Sequence, residues 1–218
     1  DAGTMGLVQR NAGHPFVYSL GASRLERTIC APAKSYGWSA VMGQTPGPDP
    51  HEIQHSDLII LWGLHGLATN LHIMHDIKIA KQKGAAVWLI DTYETPSAAI
   101  ADKVLTIRPG TDSALALAMM HILERDKLTD EEFVASSVQG YEELKSEVLP
   151  AYHPDSVSEI TGIAAEAIEE LGAAYGRARA PFIRLGSGLS RYGNGAMTVR
   201  TITCLPAVVG AWKKPGGG

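Results

Sequence analysis

The chemistry this chain could perform is concentrated in a few side chains and turns. Cys30 stands between a short β-like run, Thr28-Ile29-Cys30, and a helical pattern over Ser35–Met42. At a strand-to-helix turn the helix N-terminus favours the thiolate, the form of cysteine that attacks electrophiles and binds soft metals. The plain alternative is a small buried apolar residue. Asp91 directly follows a short apolar run, and Asp112 ends the turn Arg108-Pro109-Gly110-Thr111-Asp112 after another, Lys103–Ile107. A carboxylate at such a place can accept the N1–H and the exocyclic amine of a guanine ring together; Asp112 can equally cap a helix. Two glycine-bearing turns, Gly63–Asn70 and Gly186–Gly195, let backbone N–H groups come close to an anionic ligand. Arg191 in the second turn offers a cation for a phosphate or pterin, or else lies on the surface of a tight turn. His65, His72 and His75 invite a metal reading, with the last two about a turn apart on one helix face. A metal site needs further ligands in fixed geometry, so these histidines read as surface or capping residues.

A strand–helix–strand unit must position these groups. Asp57–Trp62 reads as a buried strand, Gly63–Asn70 as a loop, Leu71–Lys83 as an amphipathic helix, and Ala86–Ile90 as a second buried strand that ends at Asp91. A continuous apolar run such as Leu58-Ile59-Ile60-Leu61 belongs to a sheet covered on both faces. Ligands of such open sheets bind beyond the C-terminal ends of the strands. Lys103–Ile107 reads as a third strand, followed by a turn and a helix over Ser113–Arg125 that Thr111 or Asp112 caps. Pro181–Leu185 is a fourth strand, leading through the glycine turn into a helix from Ala196 to about Val209.

The remaining segments read as scaffold. Pro32 is expected to interrupt regular structure ahead of Ser35, and His14–Leu20 to form a short helix. Gly43–Pro50 is turn chemistry. Thr129–Leu149 divides into two short helices near Gln139-Gly140, and Ser158–Arg177 divides at Thr161-Gly162. The fold class indicated is α/β, a three-layer Rossmann-like domain with a mainly parallel sheet. The first loop, Gly63-Leu64-His65-Gly66, lacks the G-x-G-x-x-G spacing of a nicotinamide dinucleotide site.

Bulk properties narrow the class further. The 218 residues, 45% of them hydrophobic, suffice for one substantial core. A net charge of −4 supplies no basic field, so nucleic acid is not an expected partner. No apolar run reaches the ~20 residues that span a bilayer, so direct membrane insertion is not expected. Two cysteines, Cys30 and Cys204, make no disulfide framework and no C-x-x-C pair. The chain opens on Asp1 and closes on Lys213-Lys214-Pro215-Gly216-Gly217-Gly218, and so reads as a piece of a longer polypeptide. Residues 1–23 then form the tail of a preceding domain, and 24–218 the α/β domain.

The stretches RTICAPAKSYGW, SDLIILWGLHGLATN, GAAVWLIDTYETPSAAIADKVLTIRPGTDSALALAMMHILE and APFIRLGSGLSRYGNGAMTVRTITCLPAVVG occur in this order. From about Arg24 onward the chain resembles the molybdopterin oxidoreductases of the dimethyl sulfoxide reductase type. Members carry molybdenum or tungsten on two pyranopterin guanine dinucleotides. The resemblance implies that Cys30 is the metal's protein ligand and that Gly63, His65 and Thr69 contact a diphosphate. It implies that Asp91 reads the guanosine, with Gly110 and Asp112 as a second guanine-side contact. Gly186, Ser187, Gly188 and Arg191 then lie beside the pterin. This chain departs from the common pattern in carrying His65 where Asn is frequent, and Thr92-Tyr93 where Pro-Arg is frequent.

By the same resemblance the parent is a much larger catalytic subunit. An iron–sulfur cluster belongs to its N-terminal segment, and this chain works with the remaining domains and an iron–sulfur electron-transfer subunit. The reaction implied is a two-electron oxidation or reduction, often with oxygen-atom transfer. The rival from another class is a non-catalytic nucleotide-binding or interaction module, which uses the same turns for an ordinary mononucleotide.

Overall fold

The structure, a computed structural model, describes residues 12–24, 30–44 and 46–218. The Thr28-Ile29 run lies outside those residues. In chain order the regular elements begin with α1 (Gly13–Ser19) and α2 (Ala31–Met42). The central unit follows: β1 (Leu58–Trp62), a single helical turn α3 (Gly66–Thr69), α4 (Leu71–Gln82) and β2 (Ala86–Asp91). Then come β3 (Lys103–Thr106), α5 (Asp112–Arg125), α6 (Glu131–Ser137), α7 (Tyr141–Glu143), α8 (Pro154–Thr161) and α9 (Ala165–Arg177). The chain closes with β4 (Pro181–Leu185) and α10 (Gly195–Val208).

The four strands form one parallel sheet in the order β3-β2-β1-β4. Every residue of β1 is buried, as its unbroken apolar run requires of a strand covered on both faces. Alternate side chains then serve opposite cores. Leu58, Ile60 and Trp62 join Trp88 and Ile90 against Leu115, Ile168 and Ile202 from α5, α9 and α10. Ile59 and Leu61 join Val87, Leu89 and Phe182 against Ile73, Met74 and Ile77 of α4. Each such side chain contributes about 1.5–3 kcal/mol by leaving water. These two cores fix the sheet as the middle of three layers, the architecture expected from the sequence.

Several local expectations are corrected. Pro32 does not break the chain but lies in the first turn of α2, where a missing N–H costs nothing and the fixed φ favours a helix. The loop after β1 contains one helical turn, since Ala68, Thr69 and Asn70 bond back to the carbonyls of His65 and Gly66. Neither Thr111 nor Asp112 caps α5 with its side chain. The Thr111 hydroxyl donates to the carbonyl of Arg108 (2.7 Å) instead, and the Asp112 carboxylate is claimed by β1, as described below.

The strand order decides where a site can form. The chain moves outward from β1 to β2 to β3, then returns to the other flank of β1 as β4. The turns leaving β1 and β4 therefore diverge from a shared crevice, the place where open parallel sheets bind ligands. They touch there through backbone. The Gly186 N–H donates to the Trp62 carbonyl (2.8 Å), and a Cβ on Gly186 would stand 1.6 Å from the Gly63 carbonyl oxygen. Gly63 itself needs φ of +61°, which side chains rarely adopt. Gly186→Ala should therefore cost about 1–3 kcal/mol, because backbone rather than a flexible tip must give way. Gly188→Ala, with nothing within 4 Å of its new methyl, should change stability by less than about 0.5 kcal/mol. Urea denaturation of the two variants checks the pair.

Candidate functional site

Each turn at the C-terminal rim is tied to its neighbour. From β1, Gly63 donates its N–H to the Ile90 carbonyl (2.7 Å), and its Cα side faces Leu189 of the turn after β4. The Leu67 N–H donates to the Ser97 hydroxyl (3.2 Å), joining the turns after β1 and β2. Gly110, at φ +80°, lies under the ring of Tyr192, so the turn after β3 meets the turn after β4. The hydroxyls of Ser113 and Thr198 share a hydrogen bond of 3.0 Å, which aligns the starts of α5 and α10.

The buried centre of this rim is a pair that joins β1 to α5. Trp62, fully buried, donates its indole Nε1–H to Oδ1 of Asp112 at 2.9 Å. Asp112 is 2% exposed, and its other oxygen is buried without a partner. Burial pushes its carboxyl above the usual aspartate range; the Trp62 hydrogen bond opposes this, and the nearby Asp91 charge adds to it. Asp91 itself is half-buried at the end of β2. One of its oxygens accepts from the Thr92 N–H (2.8 Å), and the other takes no partner among the described residues. The two carboxylates thus sense each other electrostatically but are unequal in solvation.

The other expected residues are spread along the same rim. The His65 Nε2 is buried and has no partner. Thr69 is exposed, and its hydroxyl is engaged with the His65 carbonyl (3.0 Å). Gly186 is buried, Ser187 and Gly188 are exposed, and Arg191 is exposed with no ion pair among the described residues. His72 and His75 lie on the exposed side of α4. Cys30, half-buried, occupies the residue just before α2. Helix α2 packs on α10 through Gly37, where a Cβ would stand 2.3 Å from the Ala196 carbonyl oxygen. Lys34, one turn beyond Cys30, reaches the Leu185 carbonyl at the end of β4 (3.3 Å). Those contacts bring Cys30 to the β4 end of the rim.

Sequence reasoning missed three participants. Trp62 looked like the last apolar residue of a strand; its indole matters only because α5 delivers an acid to it. Thr95, 2% exposed with a buried hydroxyl that has no partner, looked like loop. Tyr192 looked like one more residue of a polar turn. A cavity of about 230 Å³, lined by Lys34, Arg184 and Leu185 among others, adjoins the β4 end of the rim. Cavities of about 450 Å³ near Asp57 and Ala180, and about 690 Å³ near Phe133 and Cys204, lie elsewhere.

Comparison with known proteins places this architecture. The family model for the molybdopterin oxidoreductase matches residues 10–218. The chain belongs to the molybdopterin oxidoreductase family. It is 44% identical to the probable oxidoreductase YoaE of Bacillus subtilis over 99% of this chain and 32% of the relative. It is 32% identical to formate dehydrogenase H of Escherichia coli over 77% of this chain and 23% of the relative. The acetylene hydratase from Pelobacter acetylenicus superposes with a TM-score of 0.75 at 27% identity, covering 84% of this chain and 25% of that one. The chain therefore spans a quarter to a third of the length of these relatives.

Two outcomes test the buried pair of this family member. Trp62→Phe removes the donor to a buried carboxylate and should cost about 1–3 kcal/mol beyond the small change in volume, read from the urea midpoint. Asp112 has a raised folded pKa, so its stabilising contribution is complete at acid pH and is lost as pH rises through that value. Asp112→Asn keeps a neutral acceptor for the indole. The variant should gain on the wild type as pH is raised from about 4 to 7, in denaturation curves recorded across that range.

Proposed function

We propose that this chain is the dinucleotide-binding domain of a molybdenum- or tungsten-dependent oxidoreductase. Residues 24–218 form that domain, and 1–23 end the domain before it. The rim holds one pyranopterin guanine dinucleotide arm, and Cys30 is the metal's protein ligand. The supporting observation is that the strand-end turns meet around polar atoms that lack partners: His65 Nε2, Thr95 Oγ1 and Asp112 Oδ2. Buried polar atoms without partners cost about 1–3 kcal/mol each, and a polar ligand laid along the rim would satisfy them.

The donor set fits such a group. Guanine offers N–H donors along one edge, and the carboxylates of Asp91 and Asp112 lie at the β2–β3 end as acceptors. A diphosphate needs donors and positive charge. The turns after β1 and β4 supply the close-packed glycines Gly63 and Gly186, the open and exposed Gly188, and the exposed cation Arg191. The separation matters, because a diphosphate beside the two acids would be repelled. Gly110 gives Tyr192 room to cover the turn after β3. A thiolate at Cys30 is a soft donor suited to molybdenum or tungsten.

When bound, the metal centre supplies two-electron redox chemistry, often with oxygen-atom transfer. This domain's own contribution is to orient the arm, exclude water at the Trp62–Asp112 end and present the thiol. The parent would use its remaining domains to complete the cradle, and an iron–sulfur cluster and electron-transfer subunit to exchange electrons. The relatives named above include a formate dehydrogenase and a hydratase, so the shared fold does not select a substrate.

Metal and nucleotide analysis of the purified parent tests this reading. Wild type should contain molybdenum or tungsten and release guanine nucleotide on denaturation. Cys30→Ser should lower the metal content or alter its absorption spectrum. Asp91→Ala should weaken cofactor retention by about 1.5–3 kcal/mol, roughly 10–150-fold, as a charged acceptor is lost. Unchanged cofactor content in Asp91→Ala counts against the guanine assignment. A metal-free parent that still binds a mononucleotide supports the non-catalytic module instead.

A further inference from the structure

Around the end of β4 the described residues gather hydrogen-bond donors with no carboxylate to pair with them. Lys34 Nζ and Arg184 Nη1 both donate to one oxygen, the Leu185 carbonyl, at 3.3 and 3.4 Å. Two half-buried cationic heads therefore stand side by side. Neither has an ion pair among the described residues. The Arg184 Nε is buried without an acceptor, and so is the indole Nε1 of Trp212. All three side chains line the same cavity of about 230 Å³, walled by Trp38, Pro50 and Phe182.

Like charges placed together in a half-buried site repel, and desolvation adds to the cost. Burial, then the neighbouring Arg184 charge, holds the Lys34 ammonium below the usual lysine range; burial also lowers Arg184. A lone carbonyl oxygen does not neutralise two cations. The planar guanidinium fork, the remaining ammonium hydrogens and an indole N–H together match an oxyanion, which presents several acceptors within a small radius.

We propose that Lys34, Arg184 and Trp212 form a binding site for a small free oxyanion, a carboxylate or an inorganic oxyanion, one helical turn from Cys30. The site is separate from the guanine end of the rim, and its existence does not depend on the cofactor reading. Its position beside Cys30 would make the anion a neighbour of the metal if Cys30 is the ligand proposed above.

The experiment is a thermal-shift titration of the parent protein with sodium formate, nitrate and phosphate, each against sodium chloride at equal ionic strength. At least one oxyanion should raise the wild-type Tm by about 2–4 °C more than chloride. Lys34→Gln and Arg184→Gln should each abolish that difference, whereas Lys34→Arg retains it. Without added oxyanion the Gln variants should melt no lower than wild type, because each removes an unpaired cation. No oxyanion-specific shift in wild type overturns the proposal. So does a Tm loss in both Gln variants without added anion, which would mean that a carboxylate elsewhere in the parent already pairs with them. Loss of nucleotide from both Gln variants overturns it as well, by assigning the cations to the cofactor. Metal content of the same wild-type sample separates the two readings: a metal-free protein with the full shift keeps this site and removes the proposed function.

Discussion

The rim rests on one steric constraint: at the point where strand order reverses, two backbones pass in contact. The Trp62 carbonyl accepts the Gly186 N–H, extending the β1–β4 ladder one residue past the strand. The Gly63 carbonyl occupies the space that a side chain on Gly186 would need. Parallel strands separated by a long crossover have no hairpin to hold their ends together, so this contact does it. The turn after β4 then lies flat enough for Leu189 to pack on Gly63 and for Tyr192 to reach Gly110. Separate these two backbones and the turns after β1, β3 and β4 no longer share a surface.

Against that frame the polar groups divide along the strand order. Carboxylates collect at the ends of β2 and β3, and cations with no ion pair among the described residues, Lys34 and Arg184, gather at the end of β4. The separation is not uniform, since Arg108 belongs to the turn after β3. Its guanidinium is spent on the carbonyls of Glu159 and Ile160 at the end of α8, and so does not neutralise the acids. Surface ion pairs elsewhere have a different standing. Arg125 bridges Glu169 from α5 to α9, but both are about a third exposed or more, and such pairs contribute roughly 0–1 kcal/mol. The apolar cores hold the layers together, and the buried polar atoms of the rim are what those cores support at a cost.

Much of this was legible in the chain. Four apolar runs with turn residues between them gave strands within a residue or so of those observed, because burial on both faces demands such runs. The glycine turns and the strand-end acids were legible as features of the C-terminal edge of the sheet, where the structure has them. Helix starts were less legible. Pro32 reads as a breaker in isolation, and only the φ it adopts in the first turn of α2 makes it an initiator. Asp112 reads as a cap because nothing local reveals an indole fifty residues earlier in the chain. Lys34 and Arg184 are separated by most of the domain, and each looks like an ordinary solvated cation.

The sequence by itself determined the parallel three-layer architecture, the family and the set of turns that could touch a ligand. These depend on local patterns: apolar period, glycine placement and short motifs in order. Only the tertiary structure decided which polar atoms lose water and which charges meet. Those outcomes follow from strand order and helix docking, which bring together residues that no spacing rule connects.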